Sequence, residues 1–248
     1  MKISVITVCY NSEKTIEHTI RSVINQTHKD IEYLVIDGKS RDRTMDIVNS
    51  YSDKIDYIVS ESDKGIYSAI NKGVLQASGD IISILHSNDI FYDNQTLKKI
   101  DDFFNKRKID FLISSVCFKK DLSKESIHRL YSSNYFKPWM LRFGYSPPHP
   151  GFFALKNNYE KFGLYDENMK IASDFDYFVK LFSSKDVTYD ITDLVTVSMS
   201  LGGLSTKGLK SYILTTNEIR RSLKKNKILS NYFFVCIRFF IKIFQFKI

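Results

Sequence analysis

The chain of 248 residues has only three cysteines, Cys9, Cys117 and Cys236, which lie far apart and form no C-x-x-C pair. None of them has a neighbouring histidine. Disulfide frameworks and zinc sites need closely spaced cysteines or mixed cysteine and histidine sets, so the sequence predicts neither. We expect buried thiols in a reducing compartment.

Glycine-rich loops are also missing. The first predicted strand covers residues 1–8, and the turn that follows it, residues 9–12, reads CYNS. Dinucleotide-binding folds and P-loops place glycines in this turn so that the backbone can approach phosphate groups. Their absence removes the main support for ordinary dinucleotide or ATP binding.

Acidic residues are absent from residues 219–248. The formal net charge is +8, and the eight lysines and arginines of this segment account for all of it, because the others balance the 28 acidic residues. Residues 1–218 therefore have no net charge, which argues against nucleic acid as a partner. The basic end favours an anionic partner, and we expect a membrane surface.

A long uncharged apolar run is missing as well. Residues 229–248 are aliphatic and aromatic but include Arg238, Lys242 and Lys247, which disfavours a membrane-spanning helix. On a helix, Arg238, Lys242 and Gln245 share one stripe and most aromatic residues lie opposite it. This pattern predicts an amphipathic helix in the membrane interface, and a dimerising or core-capping helix is the alternative. The chain starts directly with a strand, so no signal peptide is predicted.

The sequence does contain a regular alternation of strands and helices over its first quarter. The apolar run at 33–36 is β-branched and aromatic and ends at Gly38, which predicts a buried strand. The first helix places Ile16 and Ile20 on one face, as a helix lying on a sheet does. The alternation predicts a parallel α/β sheet, and Asp37 then stands at a strand's carboxyl end, where such sheets bind nucleotides.

Two segments at these strand ends, ISVITVCYN (residues 3–11) and DGKSRDRT (37–44), resemble the opening of family 2 glycosyltransferases. Three later segments are similar to further blocks of the same family: DKGIYSAINKG at 63–73, SPPHPGFFA at 146–154 and SDFDYFVKL at 173–181. The resemblance extends to around residue 205 and covers most of the chain.

The resemblance implies an α/β chain with a GT-A fold, which is a Rossmann-like, mixed but mostly parallel sheet flanked by helices. It assigns the glycosyltransferase domain to residues 1–218, with a nucleotide-binding half at 1–117 and an acceptor half at 118–218. Residues 219–248 are then expected to form a separate basic amphipathic helical tail in the membrane interface.

The resemblance also implies a nucleotide-sugar site at the carboxyl ends of the strands, with a UDP-sugar favoured as donor. The residues expected to bind the donor are Thr7, Asn11, Asp37, Asp63, Tyr67, Asn71, Asn88 and His149. Tyr67 and Asn71 follow Asp63 at intervals of four residues, which puts them on one helical face. A solvated helix face and, for His149, a structural turn are the alternatives.

A predicted strand at 79–85 ends in His86-Ser87-Asn88-Asp89, where the family has an acidic D-x-D or S-D-D motif. The resemblance implies that Asp89 binds Mn²⁺ or Mg²⁺ against the donor diphosphate, since hard divalent cations prefer oxygen ligands. Asn88 stands where an aspartate is usual, so the site has less negative charge. We expect His86 to form a strand-end hydrogen bond, with a metal or phosphate contact as the alternative.

Ser173 is the predicted N-cap of a helix whose first turn carries Asp174 and Asp176. By resemblance, Asp174 is the catalytic base that takes a proton from the acceptor hydroxyl, and Asp176 is the alternative. Both carboxylates could instead serve only the helix dipole. The segment GGLS at 202–205 resembles a family loop that closes over the donor.

These features imply an inverting, metal-dependent hexosyl or N-acetylhexosaminyl transferase that uses a nucleotide-sugar and a saccharide acceptor. With the basic tail, we expect a lipid-linked acceptor, a role in bacterial surface-polysaccharide biosynthesis and a cytoplasmic location at the inner face of the plasma membrane. One alternative is a non-catalytic membrane-associated homologue, which Asn88 supports. The other is a sugar nucleotidyltransferase, which would need a glycine-rich loop after the first strand.

Overall fold

The computed structural model describes residues 1–122, 126–200 and 208–243, of which residues 209 and 239–243 by their backbone alone. The strands are β1 (Ile3–Cys9), β2 (Ile31–Asp37), β3 (Tyr57–Ser60), β4 (Ile81–Ile84), β5 (Asp89–Phe91), β6 (Phe111–Lys119), β7 (Arg129–Tyr131), β8 (Phe152–Leu155) and β9 (Tyr189–Ser200). The helices are α1 (Ile16–Ile24), α2 (Thr44–Asn49), α3 (Ile66–Gln76), α4 (Thr96–Arg107), α5 (Asn157–Phe162), α6 (Ser173–Ser183), α7 (Gly208–Lys225) and α8 (Tyr232–Ile243).

The described strands form one sheet in the order β3-β2-β1-β4-β8-β6-β9-β5, with β7 pairing beside β6. β1 pairs in parallel with both β2 and β4, and β3 extends this parallel run beyond β2. β8 joins the two parts of the sheet because it pairs antiparallel with β4 and with β6, which in turn is parallel to β9. The predicted mixed, Rossmann-like sheet flanked by helices is confirmed.

The sheet is built around β1, whose seven residues are all buried. A central strand covered on both faces needs a nearly continuous apolar run, and the sequence supplies one. Helix α1 buries Ile16, Ile20 and Val23, as its spacing predicts. Each fully buried aliphatic side chain contributes about 1.5–3 kcal/mol. The carboxyl end of β1, where the candidate site begins, therefore projects from a rigid core.

The C-terminal helices pack on this core, and the predicted domain bounds fall inside elements of secondary structure. Ile219, Leu223 and Val235 are 3%, 1% and 0% exposed. The predicted boundary between residues 218 and 219 falls inside α7, and the division at 117/118 falls inside β6. The change in charge marks a change of surface, whereas the apolar stripe of α7 continues across it and remains packed.

Helix α8 differs in part from the predicted exposed tail. Arg238, assigned to an outward basic stripe, is 3% exposed and donates to Thr216 Oγ1 at 2.8 Å, whereas Phe233 is 72% exposed. None of the described helices is long and apolar enough to cross a bilayer. The buried residues of α8 support the core-capping alternative, and the exposed ones leave membrane contact as a prediction.

Candidate active site

The carboxyl ends of β1, β2 and β3 meet at one edge of the sheet, and the Asp37 carboxylate organises the turn after β2. Asp37 is fully buried. It accepts hydrogen bonds from the Ser40 backbone N–H at 2.9 Å, from the Ser40 hydroxyl, and from the Ser60 hydroxyl at 2.6 Å. The bonds to Ser40 close the turn, and the bond to Ser60 ties it to β3.

Asn11 joins the turn after β1 to the turn after β2. It is exposed and has a φ of 49°, in the left-handed region that asparagine tolerates better than most residues. Its backbone N–H donates to Ser40 Oγ at 2.7 Å, and its side-chain oxygen accepts from the Arg41 N–H at 2.9 Å. Two of the predicted donor residues, Asn11 and Asp37, are thus held by the same turn.

Asp63 lies at the same edge. Its carboxylate accepts from the Gly65 N–H at 2.8 Å, and its Oδ2 lies only 2.7 Å from the position a Cβ would take at Gly38. Glycine at position 38 therefore lets this carboxylate approach the turn after β2. The structure brings Asn11, Asp37 and Asp63 together at one edge of the sheet, and their contact with a nucleoside stays a prediction.

Three other predicted donor residues have their polar atoms engaged by the protein. The Thr7 hydroxyl is buried inside β1 and accepts from the Tyr33 hydroxyl at 3.2 Å. Asn71 donates to the Tyr165 carbonyl at 2.9 Å and accepts from the Tyr165 N–H at 3.0 Å. Tyr67 donates to the Ile171 carbonyl at 2.6 Å. The face of α3 that carries Tyr67 and Asn71 thus holds the segment before α6, and their donor contact stays a prediction.

Asp89 begins β5, opposite Met199 of β9, and is 1% exposed. Neither carboxylate oxygen has a hydrogen-bond partner, and burial raises the pKa of this carboxyl to about 8. An unpartnered buried carboxylate is costly, and a divalent cation would stabilise its ionised form. Asp89 therefore fits the predicted metal ligand.

The chemistry of a metal at Asp89 would depend on the donor. Among the residues that the structure describes, no group of three or more His, Cys, Asp or Glu side chains is placed to hold a metal ion. Mg²⁺ in nucleotide sites commonly takes one or two carboxylates and completes its shell with phosphate oxygens and water. A site with Asp89 as the protein ligand and the donor diphosphate as partner agrees with that preference.

Asn88 and Ser87 fix the loop before β5. The Asn88 side-chain N–H donates to Ser200 Oγ at 3.0 Å, which ties the loop to β9. The hydroxyls of Ser87 and Ser12 lie 2.8 Å apart, which ties it to the turn after β1. Asn88 is thus adjacent to the candidate metal ligand, with its amide nitrogen turned to β9.

A line of aromatic contacts joins this loop to the acceptor half. The rings of His86 and His149 lie 5.8 Å apart, and His149 Nε2 is 2.9 Å from the Tyr165 hydroxyl. Tyr165 stacks on Tyr67 at 5.8 Å, and the Tyr67 hydroxyl donates to Asp174 Oδ1 at 3.2 Å. Burial lowers the pKa of His86 to about 3 and that of His149 to about 4, so both are neutral at pH 7.

Asp174 stands in the first turn of α6, half-buried, and lines a cavity of about 150 Å³ together with Tyr131, Tyr145 and Tyr212. Burial raises the pKa of its carboxyl to about 6, although hydrogen bonds from the Phe175 N–H and the Tyr67 hydroxyl act in the opposite direction. A carboxylate with this pKa is ionised at neutral pH and is more basic than an exposed aspartate. These are the properties of a general base.

Asp176, the alternative base, has a different environment. It is fully buried, accepts from the Ser222 hydroxyl at 2.7 Å and lies 3.3 Å from Lys180 Nζ. Because residues i and i+2 of a helix point in very different directions, Asp176 faces α7 while Asp174 faces the cavity. Asp176 therefore fastens α6 to α7, and the geometry favours Asp174 as the base.

Sequence reasoning missed Tyr165 and Glu218. Tyr165 connects His149 with Tyr67, and Glu218 of α7 hydrogen-bonds the backbone just before α6. Glu218 did have a signal, because it is the only acidic residue after Asp193. Tyr165 had none, since it is one of 15 tyrosines. The predicted donor-closing loop at 202–205 lies outside the described residues.

The mixed, mostly parallel sheet flanked by helices is a GT-A fold. The chain belongs to glycosyl transferase family 2, whose family model matches residues 4–166. S. aureus TarS 1-349 in complex with UDP-GlcNAc has the same fold, with a TM-score of 0.71 and 19% identity over 90% of this chain and 66% of that one. A mannosyltransferase from Pyrobaculum calidifontis in complex with GDP-Man and Mn²⁺ gives a TM-score of 0.64 at 18% identity, over 90% of this chain and 63% of that one.

Relatives with similar sequences agree with this family. An uncharacterized glycosyltransferase of Rickettsia typhi is 30% identical over 199 residues, which are 76% of this chain and 61% of the relative. A PGL/p-HBAD biosynthesis glycosyltransferase of Mycobacterium bovis is 25% identical over 206 residues, which are 82% of this chain and 78% of the relative. The chain thus spans about three fifths of the length of the Rickettsia relative.

Proposed function

We propose that this chain transfers a sugar, with inversion at the anomeric carbon, from a nucleotide-sugar to a hydroxyl of a saccharide acceptor. The observation that carries the proposal is the half-buried Asp174 carboxylate, which lines a cavity and has a pKa raised to about 6. The carboxylates at the ends of β2 and β3, and Asp89 at the start of β5, supply the donor side.

In the proposed reaction, the acceptor oxygen attacks the anomeric carbon while Asp174 takes its proton. The new C–O bond forms as the bond from the anomeric carbon to the diphosphate oxygen breaks, so the nucleoside diphosphate leaves with the electron pair. A single displacement of this kind inverts the configuration. When bound, the divalent cation would offset negative charge on the leaving diphosphate, and Asp89 would hold it.

The pH dependence of transfer follows from Asp174. The base must be ionised, and burial raises its pKa to about 6, so the protonated and inactive form predominates below that pH. We expect the single-turnover rate to rise with pH through about 6 and to level off above it, with a fall of about tenfold per pH unit on the acid side. A rate that stays flat between pH 5 and 7 would remove Asp174 from the proton transfer.

A UDP-sugar is the favoured donor, and the group proposed to be transferred is a hexosyl or N-acetylhexosaminyl group. Support comes from TarS, solved with UDP-GlcNAc, while the Pyrobaculum calidifontis mannosyltransferase with GDP-Man keeps a GDP-sugar as a second choice. Thermal shifts with UDP- and GDP-sugars in the presence of Mn²⁺, followed by transfer assays, would decide between them.

Asp37→Ala is expected to weaken binding of the nucleoside diphosphate by roughly 1–3 kcal/mol, because a hydrogen-bond acceptor and the turn built around it are both lost. Isothermal titration with UDP measures the change. Ser60→Ala is the matched control, since it removes one bond to Asp37 and leaves the carboxylate in place. Equal affinity of wild type and folded Asp37→Ala for UDP and GDP would remove Asp37 from the site.

The proposal has two further parts. The acceptor is lipid-linked, and the enzyme acts at the inner face of the plasma membrane in surface-polysaccharide synthesis. The supporting feature is an aromatic–basic surface made of Trp139, Arg142, Lys227, Leu229 and Phe233. Its apolar members are 63%, 74% and 72% exposed, and Arg142 Nε donates to the Leu229 carbonyl at 3.0 Å. Exposed aromatic residues beside basic ones are typical of membrane-interface surfaces.

We expect the protein to sediment with anionic vesicles and to be released as salt rises, because each basic residue near such a bilayer contributes about 1 kcal/mol that salt screens. Replacing Trp139 and Phe233 with alanine should weaken sedimentation, whereas Tyr10→Ala, which changes an aromatic residue 59% exposed elsewhere on the chain, should not. Point changes are preferable to truncation at residue 229, which would remove the buried Val235. Unchanged vesicle binding of the double variant would place the contact elsewhere.

Two other functions make different predictions in the same assays. A non-catalytic homologue would bind donor without transfer or hydrolysis, and Asn88 is the residue that favours it. A sugar nucleotidyltransferase would release pyrophosphate from a nucleoside triphosphate and a sugar phosphate. The turn after β1, without glycine, gives that reaction no phosphate loop. Sugar transfer from any nucleotide-sugar, without pyrophosphate release, supports the glycosyltransferase.

A further inference from the structure

The backbone that leads into α6 is held by a carboxylate from another helix. Glu218 of α7 accepts hydrogen bonds from three successive backbone N–H groups, those of Lys170 at 2.8 Å, Ile171 at 2.9 Å and Ala172 at 2.9 Å. Glu218 is 7% exposed and lies 46 to 48 residues further along the chain. It also lies outside the segment matched by the family model, which ends at residue 166.

These bonds hold the backbone immediately before a helix that has no side-chain cap. Helix α6 has Ala172 at its N-cap, which has no side-chain oxygen to accept from the free N–H groups there. The N–H groups that Glu218 binds are those of the N-cap residue and the two residues before it, and the carboxylate also lies at the positive end of the helix dipole. Three bonds to one charged acceptor offset the cost of burying it. The residues that begin α6 are therefore positioned by α7.

The same short segment carries the proposed base. The Ile171 N–H is bound by Glu218, while the Ile171 carbonyl accepts from Tyr67 at 2.6 Å, and the same Tyr67 hydroxyl shares its one proton with Asp174 Oδ1 at 3.2 Å. The backbone at residues 171 and 172, just before Asp174, is thus held by hydrogen bonds with Glu218 of α7 on one side and with Tyr67 of α3 on the other. A shift of about 1 Å in a catalytic group can reduce a rate a hundredfold. Holding this backbone from two sides therefore affects the rate of transfer.

We infer that Glu218 is a positioning residue for catalysis, which fixes the Asp174 carboxylate in the cavity by holding the Lys170, Ile171 and Ala172 amides. The inference rests on the proposed function, in which Asp174 is the base. Glu218 touches neither donor nor acceptor in this role and acts through the backbone.

The charge of Glu218 has a second, measurable effect on Asp174. The ionisable groups nearest Asp174 are Tyr67 of α3, Tyr165 and Glu218 of α7. The cavity that Asp174 lines also carries Tyr131, Tyr145, Tyr212 and Arg238. Burial is the largest cause of the raised pKa of Asp174, and the negative charge of Glu218 adds to it. Removing that charge should therefore lower the pKa of Asp174.

The test compares Glu218→Gln, Glu218→Asp and Ser222→Ala with the full-length wild type. Ser222 lies one turn further along α7 and bonds Asp176, so its change weakens the contact between α6 and α7 without touching the three amides. We expect Glu218→Gln to accelerate hydrogen exchange at the Lys170, Ile171 and Ala172 amides and to lower the Asp174 pKa in a ¹³C carboxyl titration. Glu218→Asp should retain the higher pKa, and Ser222→Ala should change neither quantity.

Single-turnover transfer provides the catalytic readout. Glu218→Gln should slow it by about ten- to a hundredfold with donor affinity unchanged, and it should add little further loss in an Asp174→Asn background, because the two residues act as one unit. Wild-type amide exchange and an unchanged Asp174 titration in Glu218→Gln would overturn the inference. Full transfer by Asp174→Asn would instead overturn the base assignment, and neither the exchange nor the titration needs a substrate.

Discussion

Asp174→Asn is expected to lower the rate of sugar transfer by at least about a hundredfold while donor affinity stays unchanged, because the amide cannot take the proton of the acceptor hydroxyl. The substitution keeps the size of the side chain and an oxygen that can accept from Tyr67 and from the Phe175 N–H. Single-turnover assays at pH 7.5, roughly 1.5 units above the pKa of Asp174, measure the loss of chemistry, and isothermal titration measures the affinity.

The matched control is Asp176→Asn, two residues further along the same helix. Asp176 is fully buried between Ser222 and Lys180, so we expect this variant to lose stability, by roughly 1–3 kcal/mol, with transfer retained in the folded fraction. The opposite pattern, with Asp174→Asn active and a folded Asp176→Asn inactive, would reverse the assignment of the base.

Removal of the divalent cation is expected to abolish transfer, and Mn²⁺ or Mg²⁺ should restore it. Asp89→Asn should remain inactive in an excess of either ion, because the one buried carboxylate among the described residues whose two oxygens both lack a hydrogen-bond partner has then lost its charge. Transfer assays in EDTA with ion add-back measure the effect, and the rise in melting temperature on Mn²⁺ addition should disappear in the variant. Both readouts test the metal site, and the second needs no acceptor.

Asn88→Asp is the informative companion to Asp89→Asn. It supplies the carboxylate that the resemblance to family 2 implies at this position, so we expect half-maximal activation at a lower Mn²⁺ concentration. Asn88 donates to Ser200 Oγ, and in the variant the carboxylate can only accept from that hydroxyl while it stands beside the Asp89 carboxyl, so the melting temperature without metal should fall slightly. Full activity of metal-free wild type in chelator would refute the metal site as a whole.

Much of the donor side was predictable because its signals are local. The turn after β2 is built from Asp37 and Ser40, which are three residues apart, and the carboxyl edge of a parallel sheet is a consequence of strand and helix alternation. Asn11 and Asp63 come shortly after β1 and β3, so the same alternation of strands and helices predicts their place at this edge. The metal candidate Asp89 was recognised from its motif, although it begins β5 instead of ending β4.

The acceptor side was less predictable because its contacts span long stretches of chain. The spacing of Tyr67 and Asn71 correctly places them on one face of α3, but that face meets residues 165–174, about a hundred positions away. Charge composition likewise identified the basic C-terminal region, yet Ile219, Leu223 and Val235 of that region belong to the core. Composition describes the surface of a segment and does not show what its apolar face packs against.

By itself, the sequence determined the family, the α/β class and the acidic residues at the strand ends, because periodicity and short motifs depend on neighbours a few residues apart. Only the tertiary structure decided which carboxylate faces the cavity. Asp174 and Asp176 are alike in sequence, and the packing of α7 encloses Asp176 with Ser222 and brings Glu218 to the amides before Asp174. The orientation and the pKa of Asp174 follow from burial and from contacts across dozens of residues, which no local pattern encodes.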